Sequence, residues 1–376
     1  MNINRKELLD LLSVIYPFLG QGKSNTATNV LNYYKANDKG FFGVTNGSLC
    51  AFINTPVDYF SRDFKVDGNA FFQALRGIKS EVVDLYFYSD AVLRLRAYDE
   101  ENNRTEIDFI TLINATMTDY CKDNPSTNLD AIPIPETFTE ALQTCLPYIN
   151  TNEGKLSYVY MCGYKAVSAN NNASSEIAVY TSNTDLLKLP RMFISGKDGT
   201  LISKSKVKWT GINYIGDYYR LTGKIKENNI SIILNALNEK EKYPVIIDAE
   251  RYDEKELNEH AGYTLEALER QIKAEQIKFN KKELNSLLSS VIVNGIEPNY
   301  SMFSMKGNEI SYVVRYPTIK KSKRIKTEES YPEVNIKLNP STLKNILDIV
   351  AEYISIDRNK IVAKNDKLTY ICFIGD

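Results

Sequence analysis

FKVDGNAFFQALRGIKSEVVDLYFYSDAVLRLRA, residues Phe64–Ala97, contains the clearest structural signal in the chain. Apolar residues alternate with polar ones, recur at helical spacing after an Asp67-Gly68 break, and then alternate again in two further runs. A period of two places successive side chains on opposite faces of a strand, whereas a period near 3.6 lines one face of a helix. The stretch therefore predicts a strand, a helix and two more strands.

The opening of this unit recurs along the chain. Ile3–Leu12 reads INRKELLDLL, and far downstream Phe279–Leu288 reads FNKKELNSLL. In both segments an Asn that can cap a helix is followed three residues later by a Glu that can reach back to it, which is the pattern of a capping box. Two further copies are Ile132–Leu142 and Val334–Ile374, and in the latter Asn339 is the expected N-cap. An internal repeat is stronger evidence of fold than a single motif, because each unit must pack on its neighbours to bury its apolar face.

The repeat predicts an α+β fold made of three tandem domains, each a pair of βαββ-like units. The expected domains are residues 1–120, 131–262 and 275–376, and the second half of the middle domain is irregular. The polar segment Thr111–Asp130, which contains a proline, is the expected linker between the first two domains.

The pattern is weakest in two regions. In the middle domain a hairpin is expected from Val207–Asn213 and Tyr218–Ile225, but Asn229–Leu237 and the charged Glu250–Glu275 are interpreted as additional helices that the repeat does not require. In the last domain Thr318–Ser330, which is first basic and then acidic, is interpreted as a loop.

Composition places the chain among ordinary soluble globular proteins. Its 376 residues are 43% hydrophobic and 25% charged, with a formal net charge of −1, so any contact with nucleic acid must come from local basic patches. The five cysteines are scattered and odd in number, which predicts reduced, buried thiols and a cytoplasmic protein instead of a disulfide framework. No apolar run has the length of a membrane span, and no signal peptide is expected.

Motifs for catalysis are missing from the sequence. His260 is the only histidine and lies in a charged segment, which gives little support to a Ser-His-Asp or Cys-His arrangement. Gly20–Ser24, GQGKS, lacks the leading glycine of a phosphate-binding loop and follows a predicted helix. The acidic run between residues 253 and 259 is typical of a solvated helix face. We therefore predict no enzymatic activity, no cofactor and no metal site; carboxylate-based hydrolysis is the one enzymatic chemistry left open.

Six such units in three pairs resemble the bacterial-type sliding clamp, the ring-shaped processivity factor of replicative DNA polymerases. The best-matching segments are INRKELLDLL, FKVDGNAFFQALRGI, IPIPETFTEALQTC, FNKKELNSLL and VNIKLNPSTLKNIL. The resemblance implies a head-to-tail homodimeric ring around duplex DNA, with helices lining a central hole and sheets outside. The implied partners are DNA of any sequence, the replicative polymerase, the clamp loader and a second copy of the chain. A divergent member, cellular or viral, would act in the cytoplasm, that of the host if viral.

Basic residues on the predicted helices are the expected DNA contacts. A clamp must hold DNA without stopping at any sequence, which favours sparse phosphate contacts that carry no sequence information. The alternative is that these charges face water, as is usual on an amphipathic helix. The resemblance adds a lysine in the turn after the first helix and a pore-side tyrosine. The complete expected set is Arg5, Lys6, Lys23, Arg76, Lys79, Tyr158, Lys281, Lys282 and Lys344.

The resemblance also implies a hydrophobic pocket between the middle and last domains that accepts short peptides from partner proteins. The C-terminal segment of a clamp forms part of its wall, and the residues expected there are Tyr370, Cys372, Phe373 and Ile374. An apolar strand end at a chain terminus is either pocket wall or core, and core is the alternative for Phe373. The Met-Pro pattern common at clamp C-termini is absent, which leaves the peptide specificity open.

A second function stays open at this point. A monomeric, repeat-built scaffold that binds a protein partner through its sheets or its C-terminal groove would share the fold without encircling DNA. The residues at the edges of the subunit would distinguish the two functions, but the sequence does not show which residues lie there.

Overall fold

The computed structural model describes residues 2–20, 28–36, 39–56, 58–113, 131–150, 157–163, 165–170, 176–181, 189–215, 218–235, 276–278, 281–293, 295–349, 353–357 and 360–373. The chain forms two compact units. Unit 1 is Met1–Thr139 with Lys197–Asp248, and unit 2 is Glu140–Gly196 with Ala249–Asp376. Within the described residues, no helix has the length and apolar character needed to cross a membrane.

The elements follow one another as short helices and strands. The first part of the chain contains β1 (Asn2–Asn4), α1 (Arg5–Ile15), β2 (Val30–Ala36), β3 (Lys39–Thr45), β4 (Leu49–Asn54), β5 (Phe64–Asp67), α2 (Gly68–Gly77), β6 (Val82–Ser89), β7 (Val92–Tyr98) and β8 (Arg104–Ile110). The middle part contains β9 (Ile132–Pro133), α3 (Phe138–Cys145), β10 (Tyr158–Gly163), β11 (Lys165–Asn170), β12 (Glu176–Thr181), β13 (Leu189–Ser195), α4 (Gly196–Lys204), β14 (Lys208–Ile215), β15 (Tyr218–Ile225) and β16 (Asn228–Asn235). The last part contains β17 (Gln276–Lys278), α5 (Lys281–Val291), β18 (Tyr300–Arg315), β19 (Lys320–Ile336), α6 (Pro340–Ile349), β20 (Tyr353–Asp357), β21 (Lys360–Lys364) and β22 (Leu368–Phe373).

Capping residues fix where the helices begin. The Asn4 side chain accepts a hydrogen bond from the Glu7 amide at 3.1 Å, which confirms the predicted cap of α1. Asp67 accepts from the Ala70 amide at 2.8 Å and caps α2 in the same way. Asn339, the predicted cap of α6, accepts from the Ser341 amide at 3.0 Å. Each bond satisfies a backbone N–H that the first helical turn leaves without a partner.

Unit 1 contains two antiparallel sheets. The larger has eight strands in the order β5-β2-β3-β4-β16-β15-β14-β9. Strands from the first 67 residues meet strands from residues 132–235 at the β4–β16 pair, where Ala51 lies opposite Ile232. The smaller sheet has the order β1-β6-β7-β8, so β8 is paired on one side only among the described strands.

Unit 2 repeats this arrangement with a change. Its eight-stranded sheet has the order β13-β10-β11-β12-β22-β21-β20-β17, and Ala178 in β12 lies opposite Tyr370 in β22. Its second sheet is a two-stranded ribbon, β18–β19, in which Gly307 adopts a positive φ of 58° beside a shift in register. The helices α5 and α6 lie against each other, and α5 packs on the ribbon, so that Leu287, Tyr312 and Leu347 share one buried core.

The predicted α+β class with repeated strand–helix–strand–strand units is confirmed, but two local predictions are wrong. The helix expected over Asn229–Leu237 is the strand β16, whose Ile and Leu residues are buried on both faces between β15 and β4. A run buried on both faces lacks alternation and cannot be told from a helix by its period. The loop expected over Thr318–Ser330 lies largely in β19, whose exposed cations concealed the strand pattern.

Several predictions concern residues outside the described ranges. These include Glu250–Glu275, which contains His260, and most of the linker Thr111–Asp130. Of the cysteines, Cys50, Cys145 and Cys372 are buried free thiols, which agrees with the burial predicted for them. The three domain boundaries remain a prediction, because the compact units group the strands in another way.

Candidate nucleic-acid interface and subunit edges

Arg5 joins α1 to the C-terminal end of α2. Its guanidinium donates through Nε to the Ser80 carbonyl at 2.8 Å and through Nη1 to the Leu75 carbonyl at 3.2 Å. A cation at this end of a helix complements the partial negative charge of the last carbonyl groups. Arg5 is half-buried. Because its guanidinium already donates these two hydrogen bonds, less of it is available to a phosphate.

Three exposed cations, Lys6, Arg76 and Lys79, lie on these two helices or just after the second one. Arg76, in the last turn of α2, lies 4.5 Å from the ring centre of Phe72 and 5.5 Å from that of Tyr16, and these two rings are stacked at 4.0 Å. Cation–π contact of this kind holds an exposed guanidinium in place. The group that the structure places at this helix pair, here called the α1–α2 patch, is Arg5, Lys6, Arg76 and Lys79.

The expected cations of unit 2 lie on a second helix pair. Lys281 and Lys282 open α5, with Lys281 half-buried and Lys282 exposed. Lys344 lies on the neighbouring helix α6 and forms an i,i+4 ion pair with Asp348 at 3.1 Å. The pair reduces the charge that Lys344 can offer to a phosphate.

The two remaining candidates for DNA contact do not lie on these helices. Tyr158 begins the strand β10, is half-buried, and faces Ser195 of β13. Lys23 is outside the described residues. Both assignments stay predictions.

The C-terminal strand β22 is part of the core of unit 2. Tyr370 and Cys372 are 0% and 1% exposed, and the Tyr370 ring lies 5.2 Å from that of Tyr148. These two side chains can therefore support a pocket wall from behind but do not reach the surface. Phe373 is the last residue of β22, and Ile374 is outside the described residues. The peptide pocket itself stays a prediction.

A salt-bridge ladder that the sequence analysis missed covers one face of the four-stranded sheet. Arg94 donates to Asp108 at 2.5 and 2.7 Å, and Arg96 donates to Glu106 at 2.8 Å. Arg104 also contacts Glu106. The hydrogen bond from Arg94 lowers the pKa of the Asp108 carboxyl, and the contact with Arg104 is the main cause of the lowered pKa of Glu106. The sequence signal for this ladder is the alternation of charged and apolar residues in β7 and β8, which places the charges of each strand on one face.

Exposed apolar residues follow β8, whose second edge has no partner among the strands that the structure describes. Ile110 at the end of the strand is 73% exposed, and Ile113 is also exposed. The turn before the strand is acidic, with Asp99, Glu100 and Glu101 all exposed. An unpaired strand edge with apolar residues beside it is a surface that can pair with another chain.

The ribbon β18–β19 carries a dense group of cations. Arg315 lies directly opposite Lys320, a like-charge cross-strand pair of the kind that is unfavourable in an isolated sheet. Arg324 is partly neutralised by Glu309 at 2.9 Å. The two strands together are named the basic ribbon for their cations Arg315, Lys320, Lys323, Arg324 and Lys326.

The fold matches that of bacterial sliding clamps over the whole chain. A putative DNA polymerase III beta subunit from Eubacterium rectale ATCC 33656 superposes with a TM-score of 0.72 at 10% identity, covering 100% of this chain and 99% of that one. The DNA polymerase sliding clamp of Bacillus subtilis gives 0.71 at 14% identity, with 100% and 98% covered. The Helicobacter pylori beta clamp bound to a DNA ligase peptide gives 0.70 at 8% identity, with 100% and 99% covered. No family profile and no curated protein matches the sequence.

Proposed function

We propose that two copies of this chain form a DNA sliding clamp, a ring that encircles duplex DNA and tethers a replicative polymerase without chemistry of its own. The observation that carries the proposal is the likeness of fold to bacterial clamps along the full length of both chains. Three domains, residues 1–120, 131–262 and 275–376, would supply half of a six-domain ring.

The DNA-facing surface of the ring would be made by the helix pairs. The α1–α2 patch and the start of α5 present cations on short helices while the chain as a whole has a net charge of −1. Few phosphate contacts on a near-neutral protein give weak binding that does not depend on sequence and that salt reduces. Retention on DNA would then come from the closed ring and not from affinity.

The strand pairing supports closure of the ring by a second copy. Each eight-stranded sheet joins two four-stranded halves from successive proposed domains, at the antiparallel pairs β4–β16 and β12–β22. In both pairs the last strand of one repeat meets the last strand of another. The same rule leaves β8 and the basic ribbon without a partner sheet among the described strands. Head-to-tail pairing between β8 of one copy and β19 of the next would complete the series.

Charge is consistent with this closure. The turn before β8 is acidic, with Asp99, Glu100 and Glu101, whereas β19 opens with the sequence KKSKRIK. Opposite charges on two strand edges steer the correct partners together and favour one register. The unfavourable Arg315–Lys320 pair would be relieved when acidic side chains approach it.

Peptide capture near the C-terminus is the second part of the proposed function. The clamp of Helicobacter pylori that shares this fold has been seen with a DNA ligase peptide. In this chain the corresponding surface would lie beside the end of β22, at Phe373 and beyond. Polymerase and clamp loader would both bind there, and the loader would open the ring.

The DNA contacts are tested by charge removal that keeps the fold. Lys6→Gln, Arg76→Gln and Lys79→Gln together remove three exposed charges of the α1–α2 patch. We expect weaker binding to every duplex sequence alike, and a salt dependence flattened by about one unit of slope for each phosphate that is no longer neutralised. Fluorescence anisotropy on two unrelated duplexes, at several salt concentrations, measures both quantities.

The matched control removes the same charge elsewhere. Lys206→Gln, Lys226→Gln and Lys364→Gln are three exposed positions on strands and turns. This variant should bind DNA as the parent does, with the same salt slope. Equal weakening in both variants would mean that only net charge matters, and a preference of the parent for one duplex would indicate direct base readout and a different function.

The monomeric scaffold remains the second candidate function. The deep burial of Tyr370 and Cys372 removes these two side chains from a pocket surface in either function, so the oligomeric state has to separate the two candidates. A chain that stays monomeric at micromolar concentration and leaves polymerase product length unchanged on a primed circular template, with a loader present, would favour the scaffold over the clamp.

A further inference from the structure

A pocket of about 230 Å³ opens on one face of the eight-stranded sheet of unit 1. Its floor is shaped by short side chains. Thr222 in β15 lies opposite Gly211 in β14 and opposite Ser231 in β16, so three adjacent strands place little bulk at the same point. A Cβ atom at Gly211 would lie 3.1 Å from the Thr222 hydroxyl oxygen, which shows how closely the floor is packed.

Three basic residues line this pocket. Arg220 and Lys224 are two residues before and after Thr222 on β15, and therefore project from the same face of the strand. Lys39, at the start of β3, reaches the pocket from another side. The amide side chains of Asn54 and Asn229 also line it, and the pairing of Ile53 with Ile230 makes these two neighbours.

The charge of the pocket is of one sign. Lys39, Arg220 and Lys224 contribute three positive charges, and no carboxylate is found among the described residues that line the pocket. Lys39 and Lys224 are exposed and make no ion pair with any residue that the structure describes. Arg220 is 1% exposed, and its burial lowers the pKa of the guanidinium. The pocket is therefore lined by positive charge, which attracts anions.

We propose that this pocket binds a small phosphate-class anion, held by the amino groups of Lys39 and Lys224 and the amide groups of Asn54 and Asn229, with the charge of the buried Arg220 close by. Its volume is below the roughly 300–1,000 Å³ of pockets for drug-sized ligands, which suits a phosphate or diphosphate group better than a large molecule. The two lysines supply point charges to the phosphate oxygens, and the amide groups can donate hydrogen bonds to them. The site shares no residue with the α1–α2 patch and does not depend on the proposed DNA binding.

Isothermal titration calorimetry of the full chain with inorganic pyrophosphate, in a buffer free of phosphate, tests the site. We expect one pyrophosphate for each chain. The double variant Lys39→Gln, Lys224→Gln should raise Kd about tenfold or more, because hydrogen bonds between charged groups are among the stronger polar contacts. Both positions are exposed, so folding should be retained; circular dichroism and an unchanged thermal midpoint verify this.

The control is Lys226→Gln, an exposed lysine on the turn between β15 and β16 that does not line the pocket. It should bind pyrophosphate as the parent does. A nucleoside triphosphate that binds more tightly than pyrophosphate would identify a nucleotide as the source of the phosphate, and equal affinity would identify the bare anion. The proposal is overturned if the parent does not bind pyrophosphate, or if the double variant binds as tightly as the parent. Equal weakening by Lys226→Gln overturns it as well, and an unchanged affinity of the double variant for duplex DNA keeps the two sites distinct.

Discussion

At the scale of single residues, adjacent cations on one helix turn out to have different roles. Arg5 and Lys6 occupy the two places that Lys281 and Lys282 hold in another copy of the repeat, and all four were predicted as DNA contacts. The structure commits the Arg5 guanidinium to the carbonyls of Leu75 and Ser80, whereas Lys6 is exposed. The sequence could not separate them, because the partners of Arg5 lie at least 70 residues away and are backbone atoms.

We predict that Arg5→Ala lowers the free energy of unfolding by about 1–2 kcal/mol, since it leaves two carbonyl groups at the end of α2 without a charged donor. Urea unfolding followed by circular dichroism measures the change. Lys6→Ala, one residue further on the same helix, is the control and should change stability by no more than about 0.5 kcal/mol. Equal effects of the two substitutions would show that the Arg5 hydrogen bonds add nothing to stability.

The difference between Arg5 and Lys6 determines which residues should be changed in a test of DNA binding. A variant that includes Arg5 would mix a change of stability with a change of phosphate binding. Lys6, Arg76 and Lys79 avoid this problem, because none of them donates to the backbone of the neighbouring helix in the described contacts.

At the scale of elements, the helices were predictable and two strands were not. Asn4 and Asn339 cap α1 and α6 where the sequence placed them, because capping depends on residues two or three apart. The strand β16 was missed, since burial on both faces depends on neighbours from distant parts of the chain. Asp198 illustrates the same limit. It accepts a hydrogen bond from the Ser48 hydroxyl at 2.7 Å, across 150 residues of sequence.

The ladder on β7 and β8 should make the edge strand sensitive to acid. The folded-state pKa values of Asp108 and Glu106 are lowered, so their contribution to stability is complete above the ordinary carboxyl pKa of about 4 and is lost as pH falls through the lower folded values. We predict that the Asp108→Asn, Glu106→Gln variant melts below the parent at pH 7 and that this difference is smaller at pH 3. Differential scanning calorimetry at both pH values measures it.

The control for that prediction leaves β7 and β8 unchanged and replaces two carboxylates that are not part of the ladder. Glu100→Gln, Glu101→Gln on the adjacent turn should give a melting difference from the parent that does not follow the ladder's pH dependence. A difference between the ladder variant and the parent that is the same at pH 7 and pH 3 would mean that the ion pairs do not supply the stability of β8.

At the scale of the whole molecule, the repeat in the sequence and the compact units in the structure divide the chain differently. The repeat predicts three domains, whereas the strand pairs β4–β16 and β12–β22 join halves of successive domains into continuous sheets. Patterns of period two and 3.6 report the elements and their order but not which strand edges meet. The candidate sites differ in the same way. The cations on the helices could be predicted from the sequence, whereas the ladder on β7 and β8 and the pocket beside Thr222 depend on which residues lie opposite each other in paired strands.

The last prediction concerns closure of the ring. If β8 of one copy pairs with β19 of the next, reversing the charge of the basic ribbon should prevent the pairing. Lys320→Glu, Lys323→Glu and Lys326→Glu would place like charges beside the acidic turn before β8 in the proposed pairing. Like charges across an interface cost several kcal/mol, so we expect self-association to weaken at least about 100-fold. Sedimentation equilibrium of parent and variant, from nanomolar to micromolar concentration, measures the dissociation constant.

Two results would decide the matter. Lys206→Glu, Lys226→Glu and Lys364→Glu make the same change of charge on exposed positions outside the ribbon, and this control should remain a dimer. A parent that is monomeric throughout the range would end the ring hypothesis and leave the scaffold. A dimer that survives reversal of the ribbon would place the interface on other edges. Since the ribbon is exposed, the reversed variant should stay folded, and it should then bind duplex DNA only transiently, because an open chain lacks the topological hold that a near-neutral clamp requires.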